Sequence, residues 1–222
     1  VCFSPLASFT TAALTGGVGI IAISRTTRWR ELPLAAIPLV FGAQQAIEGG
    51  LWLSLPAAPT GAATAILTLL YLIIAQAFWP IYAPMAARLM EPDACRRRLM
   101  LVCLAVGLAV AGWLSWLLIR GPREAVIVNH CIVYRTGAAH PLLVGLGYLV
   151  ATVLPLILSS QRILVVLGVI ALVGSIVAYL FYWEAFLSVW CYFAALASLA
   201  ILGHFEWARG RSGRLAGLGP TA

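Results

Sequence analysis

The residues of this chain that could do chemistry are the few ionisable and amide side chains inside its apolar runs. A carboxyl group in a hydrocarbon environment is costly, and one retained there is by default a functional candidate. Glu48 is the clearest. It stands in Phe41-Gly42-Ala43-Gln44-Gln45-Ala46-Ile47-Glu48-Gly49-Gly50-Leu51-Trp52. A spacing of four puts Gln44 and Glu48 on one helix face, with Phe41 and Trp52 on the same stripe. A protonated carboxyl bonded to Gln44 would act as glue between helices. A carboxyl that carries a proton or binds a cation would be a working site. Gln45 and Gln76 complete the candidate intramembrane polar site of Gln44, Gln45, Glu48 and Gln76. Gln76 can also serve as a plain interhelical hydrogen bond. Trp79-Pro80 and Ala83-Pro84 follow it and predict a kink.

A second constellation falls on the side of the membrane where Glu48 is expected. His130 and His140 lie in one loop, and Glu184 follows Phe181-Tyr182-Trp183 beside an aromatic belt. With Glu48 they form a candidate metal set, of the ligand types that hold zinc or iron. No His-x-x-x-His or Cys-x-x-Cys spacing supports it, and each residue has a plain interfacial or solvated reading. His204, next to Arg209 and Arg211, reads as an interface anchor. Of the five cysteines, Cys95 and Cys103 fall near the reducing side and Cys191 within a span. Cys2 and Cys131 fall on the oxidising side and are the candidate disulfide, with two free thiols as the alternative.

The elements that must position these residues are transmembrane helices. Of 222 residues, 63% are hydrophobic and 9% charged, with a mean hydropathy of +1.01. So few charges cannot cover a water-soluble surface. Spans of about 20 apolar residues are read at 5–24, 32–53, 62–87, 99–119, 141–158, 163–181 and 186–206. The fold class is therefore all-α: a polytopic bundle of seven transmembrane helices with a small extracytoplasmic β-hairpin. Residues 1–207 form the transmembrane domain, with its long loop at 120–140, and 208–222 a basic cytoplasmic tail. The first span lacks a basic segment before it and does not read as a cleaved signal peptide. Val1 reads as a start codon translated literally, with no lipobox before Cys2.

All 14 basic residues are arginine. The absence of lysine excludes retinal or pyridoxal phosphate held as a lysine Schiff base, and removes the Gly-Lys pair of a phosphate-binding loop. The net charge of +7 does not point to nucleic acid, because the arginines flank apolar segments. Eleven arginines (25, 28, 30, 88, 96, 97, 98, 162, 209, 211, 214) fall on one side and three (120, 123, 135) on the other. The positive-inside rule then puts the N-terminus outside and the C-terminus in the cytoplasm of a bacterial inner membrane. In the outer loop, Glu124–Val128 and Cys131–Arg135 alternate and are rich in Val and Ile, with Asn129-His130 as a two-residue turn. A free hairpin is marginal in water, so this one must pack on the helix ends. The loop 54–61, with Pro56 and Pro59, is short and uncharged.

Cys2-Phe3-Ser4-Pro5-Leu6-Ala7-Ser8-Phe9 resembles the Met-Cys-Phe-Ser-Ala-x-Ala-Ser-Phe start of a bacterial seven-span membrane-protein family carrying a domain of unknown function. Similarity continues through Glu31-Leu32-Pro33, Phe41–Trp52 and Ser188–Ala195. Pro5 departs from the Ala of that pattern. The resemblance implies a shared seven-span fold and no chemistry.

Three functions remain open, and whether the protein is an enzyme is undecided. Bare outer loops and eight Trp with seven Tyr suit an accessory subunit of a larger membrane complex, touching lipid and other membrane subunits. Glu48 with its amides suits a small-molecule or proton-coupled carrier. Glu48, His130, His140 and Glu184 suit a metal or redox enzyme. The topology has a direct test. In single-cysteine variants, Pro56→Cys should react with an impermeant maleimide on intact cells and Asp93→Cys only after permeabilisation. The reverse pattern would overturn the orientation.

Overall fold

The computed structural model describes residues 4–137 and 141–207. It is an all-α bundle with one small antiparallel sheet. Ser4 caps α1 (Pro5–Arg25), its hydroxyl accepting from the Ala7 amide, with Pro5 at the first turn where no amide partner is missed. A short 3-10 turn at Trp29–Glu31 leads into α2 (Leu32–Ala57). This helix runs past the expected end of the span and takes in Pro56. After it come α3 (Ala62–Leu72), a π-helical turn at Ile73–Phe78, and α4 (Trp79–Met90). Asp93 caps α5 (Ala94–Arg120) through the Arg96 amide. Strands β1 (Arg123–Val128) and β2 (Cys131–Thr136) follow, then α6 (Pro141–Thr152), α7 (Leu154–Ile157), α8 (Arg162–Phe181) and α9 (Phe186–Ser198).

Among the described residues five helical runs are long and apolar enough to cross a membrane: Pro5–Arg25, Ala62–Met90, Ala94–Arg120, Arg162–Phe181 and Trp183–Trp207. Two of the seven expected spans fall short, for different reasons. α2 has the length, but Gln44, Gln45 and Glu48 dilute its hydropathy. The 141–158 span is apolar but divided: Val153 separates α6 from α7. Pro155 explains the break, since it offers no amide to the carbonyl four residues earlier and disfavours helical backbone just before it.

The expected kink in the third span takes the form of the π-turn. There the amide of Trp79 reaches back five residues, to the Ile74 carbonyl. In that register the Ala75 carbonyl would accept from residue 80, which is proline and has no amide. The Tyr148 hydroxyl of α6 fills the gap by donating to the Ala75 carbonyl. On the far side, α5 comes close enough that a Cβ at Gly107 would lie 1.9 Å from the Pro80 carbonyl oxygen. Only glycine fits there. α1 and α2 pack by the same device, since a Cβ on Gly42 would meet the Gly16 backbone at 2.8 Å.

The hairpin forms with Val128 paired to Cys131 and Arg123 to Thr136. Asn129 and His130 both have positive φ, 49° and 59°, as a two-residue turn with the twist of its strands requires. The packing is tighter than one alternating face would give. Cys131, Ile132 and Val133 are all buried in succession, and Ala125 is buried on β1. Ala125 and Ile132 close over Leu51, Trp52, Leu55 and Tyr71 of α2 and α3.

The opposite end of the bundle is tied by polar contacts. Arg25 pairs with Glu206 at 2.9 Å, Tyr82 donates to the Pro33 carbonyl, and Arg96 donates to the Leu158 carbonyl. Glu91, only 3% exposed, joins the turn after α4 to the turn before α8. It accepts from the Ser159 hydroxyl (2.9 Å), the Ser160 amide and hydroxyl (both 2.7 Å) and the Asp93 amide (3.1 Å). Burial pushes this carboxyl up, but those hydrogen bonds together outweigh it and hold it below the usual carboxylate range. Its contribution is therefore complete above the ordinary carboxylate value and lost as pH falls through the lowered one. Glu91→Ala should cost about 2–3 kcal/mol of stability at neutral pH. The difference from wild type in thermal unfolding should shrink on acidification below the carboxylate range. A pH-independent difference would show that the bonds act without the charge.

Candidate functional site

Glu48 projects from the hairpin-side half of α2 into the bundle and is 1% exposed. Its carboxyl is held from two directions. The Ser188 hydroxyl of α9 donates to Oε1 at 2.5 Å, and the Gln45 amide nitrogen donates to Oε2 at 3.2 Å. The expected Gln44–Glu48 bond is corrected by the structure. Gln44 turns to a different neighbour and accepts from the indole nitrogen of Trp79 at 2.9 Å. Trp79 is fixed for that bond by stacking on Phe41, with ring centroids 4.2 Å apart. A face shared at four-residue spacing allows contact but does not compel it. Residues three apart on the same helix can meet as well, and Gln45 makes the contact with Glu48.

Two tyrosines complete the surroundings. Tyr71 of α3 and Tyr134 of β2 stack with centroids 4.4 Å apart and planes within 5°. Both hydroxyls face Glu48, and neither completes a hydrogen bond to it. The Cys191 thiol of α9 lies near Tyr71 and Gln44. At this end of the bundle Gln44 Nε2, Gln45 Oε1, Trp52 Nε1, Tyr71 OH and Tyr134 OH are buried without a hydrogen-bond partner among the described residues. No basic side chain of the described residues lies within ion-pair distance of Glu48. Neutralising its charge therefore needs a proton or a cation from outside.

A cavity of about 540 Å³, open on the side where Leu142, Ile176, Leu180 and Trp183 are exposed, lies beside this cluster, between α5, α6, α8 and α9 and under the hairpin. That is within the range of small-molecule sites. Its walls are mostly aliphatic and aromatic, and its polar groups are few: Gln76, Ser175, Glu184 and the tyrosine hydroxyls. Tyr134 belongs to both places, lining the cavity while facing Glu48. Of the four residues in the expected polar site, Gln44, Gln45 and Glu48 come together, and Gln76 faces the cavity instead. It is carried there by the π-turn, which changes the helix register at Ile73–Phe78.

Of the expected metal set, the three described members are not brought together. His130 is exposed at the hairpin turn, Glu184 is exposed at the cavity, and Glu48 is buried among hydroxyls and amides. Among the described residues no group of three or more His, Cys, Asp or Glu could hold a metal. His140 and Cys2 lie outside the described residues. Cys95, Cys103 and Cys191 are free thiols, and Cys131, buried on β2, is not among them. Sequence reasoning missed Tyr71, Tyr134 and Ser188. The legible signal for Ser188 was a hydroxyl within the apolar run Phe186–Ala195; nothing in the local sequence distinguished the two tyrosines from aromatic packing.

The geometry predicts how Glu48 tolerates change. Glu48→Gln keeps an oxygen for Ser188, and a turned Gln45 amide restores the second bond, so unfolding in detergent should shift by less than about 1 kcal/mol. Glu48→Leu strands both partners in the bundle and should cost about 1–3 kcal/mol. A Leu variant as stable as wild type would show that the network contributes nothing to the fold.

Comparison with curated proteins and with solved structures returns no match to this chain. One family profile does match, over residues 1–216 and so over nearly the whole sequence. The chain belongs to that family, described as a family of unknown function (DUF6629).

Proposed function

We propose that this protein is a membrane carrier for a small, largely apolar molecule, with the Glu48 cluster as the proton- or cation-bearing element coupled to it. The observation that carries this reading is Tyr134. Among the described residues it is the one that both lines the cavity and faces Glu48. A ligand seated in the cavity would touch the ring whose hydroxyl lies unpartnered beside the carboxyl. Occupancy would thereby alter the polarity around Glu48 and the balance between its neutral and charged forms.

An accessory subunit needs exposed apolar faces and no cavity of ligand size. The exposed apolar side chains away from the cavity, among them Leu6, Ile119 and Leu143, suit lipid equally well. The metal-enzyme reading finds no ligand cluster among the described residues. The proposed setting is a bacterial inner membrane crossed seven times, with the hairpin outside and the arginine-rich turns in the cytoplasm. A Cys2–Cys131 bond there would tie the N-terminus to the hairpin that carries Tyr134.

Aqueous access to the cavity tests the carrier reading. In a background lacking the free thiols Cys95, Cys103 and Cys191, Gln76→Cys should react with a charged, membrane-impermeant methanethiosulfonate. Ile170→Cys, on the exposed middle of α8 and away from the cavity, should stay unmodified in the bilayer. A Gln76→Cys variant as inert as Ile170→Cys would overturn the reading.

A further inference from the structure

Resting on that reading, we infer that the cavity beside Tyr134 takes lipophilic cations, molecules with a bulky apolar body and a delocalised positive charge. Three features of the wall point to this class. Glu184, in the turn between α8 and α9, is the charged residue lining the cavity. It makes no hydrogen bond or ion pair within the described residues. Among the described residues no arginine lines the cavity, so an anionic ligand there would meet a carboxylate that none of them offsets.

The second feature is aromatic. Tyr134, Tyr179, Trp183 and Trp190 all contribute to the wall. Tyr179 and Trp183 meet edge to face at 4.7 Å on the side where Glu184 lies. Ring faces attract cations, most strongly where water is excluded. The third feature is the scarcity of hydrogen-bonding groups for so large a space. A small inorganic cation would lose its hydration there without replacement. A cation whose charge is spread over a large body loses far less and gains from apolar burial.

Other charges near Glu184 leave this balance intact. β2 packs on the turn that carries Glu184, and Arg135 of β2 faces Glu124 across the hairpin, so the two charges largely offset each other. The C-terminal end of α8 and the N-terminal end of α9 meet at the same turn, so their dipoles also largely cancel. Glu184 remains the uncompensated charge.

Tetraphenylphosphonium and tetraphenylborate have the same shape and opposite charge, and they separate this class from plain apolar partition. Each is titrated separately into the full-length protein in detergent, and binding is followed by calorimetry. Tetraphenylphosphonium should bind at one saturable site and tetraphenylborate should not. Glu184→Gln, at an exposed position where folding is not at stake, should weaken phosphonium binding by about ten-fold. Gly145→Trp should abolish it, because a side chain at Gly145 enters open space on the cavity wall. Retention of the wild-type unfolding temperature shows that this variant is folded. Equal binding of both ions, unchanged affinity in Glu184→Gln, or binding that survives in folded Gly145→Trp would each overturn the inference. A Gln76→Cys that reacts in a protein with no phosphonium binding would leave the carrier reading standing and remove this substrate class. An inert Gln76→Cys would remove both.

Discussion

A carboxyl group enclosed in an apolar bundle, with no basic residue beside it, has to be satisfied by hydroxyls and amides. The hairpin end of this protein is organised by that constraint. Ser188 supplies the hydroxyl from α9 and Gln45 the amide from α2, so the Glu48 carboxyl joins two helices 140 residues apart in sequence. The tyrosines of α3 and β2 stack over the same group. The hairpin is marginal as a free element. It is ordered by burying Ala125 and Ile132 against the apolar residues that surround this polar cluster. The cluster and the hairpin thus depend on each other, since the hairpin's cover keeps water from Glu48.

Backbone polarity imposes the same demand elsewhere. In an apolar medium a carbonyl without a donor is costly, and Pro80 withdraws a donor in the middle of a span. The chain answers with a π-turn, with the Tyr148 hydroxyl on the Ala75 carbonyl, and with Gly107 allowing α5 to close on Pro80. The side effect is positional. The altered register turns Gln76 toward the cavity and leaves Trp79 aimed at Gln44. A proline in a span therefore determines which side of the third helical run serves the polar cluster and which serves the cavity.

Much of this was legible in the sequence. Composition and apolar run length revealed the bundle, and Asn129-His130 between two alternating segments revealed the hairpin. Hydropathy was also enough to single out Glu48. The pairing of Glu48 was not legible, because a helix offers partners three or four residues away with equal ease. Only packing decided that Gln45 reaches the carboxyl while Trp79 claims Gln44. The convergence of Tyr71, Tyr134 and Ser188 was out of reach for a related reason. They come from three elements, and no local periodicity reports contacts between residues so far apart in sequence. The described members of the metal set part for a related reason: residues expected on the same side of the membrane need not share a site, and His130 lies on the exposed turn while Glu48 is buried.

That the shared wall comes from a strand has a physical consequence. Helices packed by glycine contacts such as Gly42 on Gly16 leave little room for side-chain movement at the seam. A two-stranded sheet fixes its backbone through its own ladder and sends successive side chains to opposite faces. In β2, Tyr134 faces inward over Glu48 while Arg135 is exposed. The Tyr134 hydroxyl has no hydrogen bond holding it, and its ring is held on the Glu48 side by stacking on Tyr71. Such a ring contact is worth about 1 kcal/mol, which a ligand touching the cavity face of Tyr134 could match. Of the described cavity wall, Tyr134 is therefore the residue in reach of the buried carboxyl, its backbone held by the ladder and its ring by one aromatic contact.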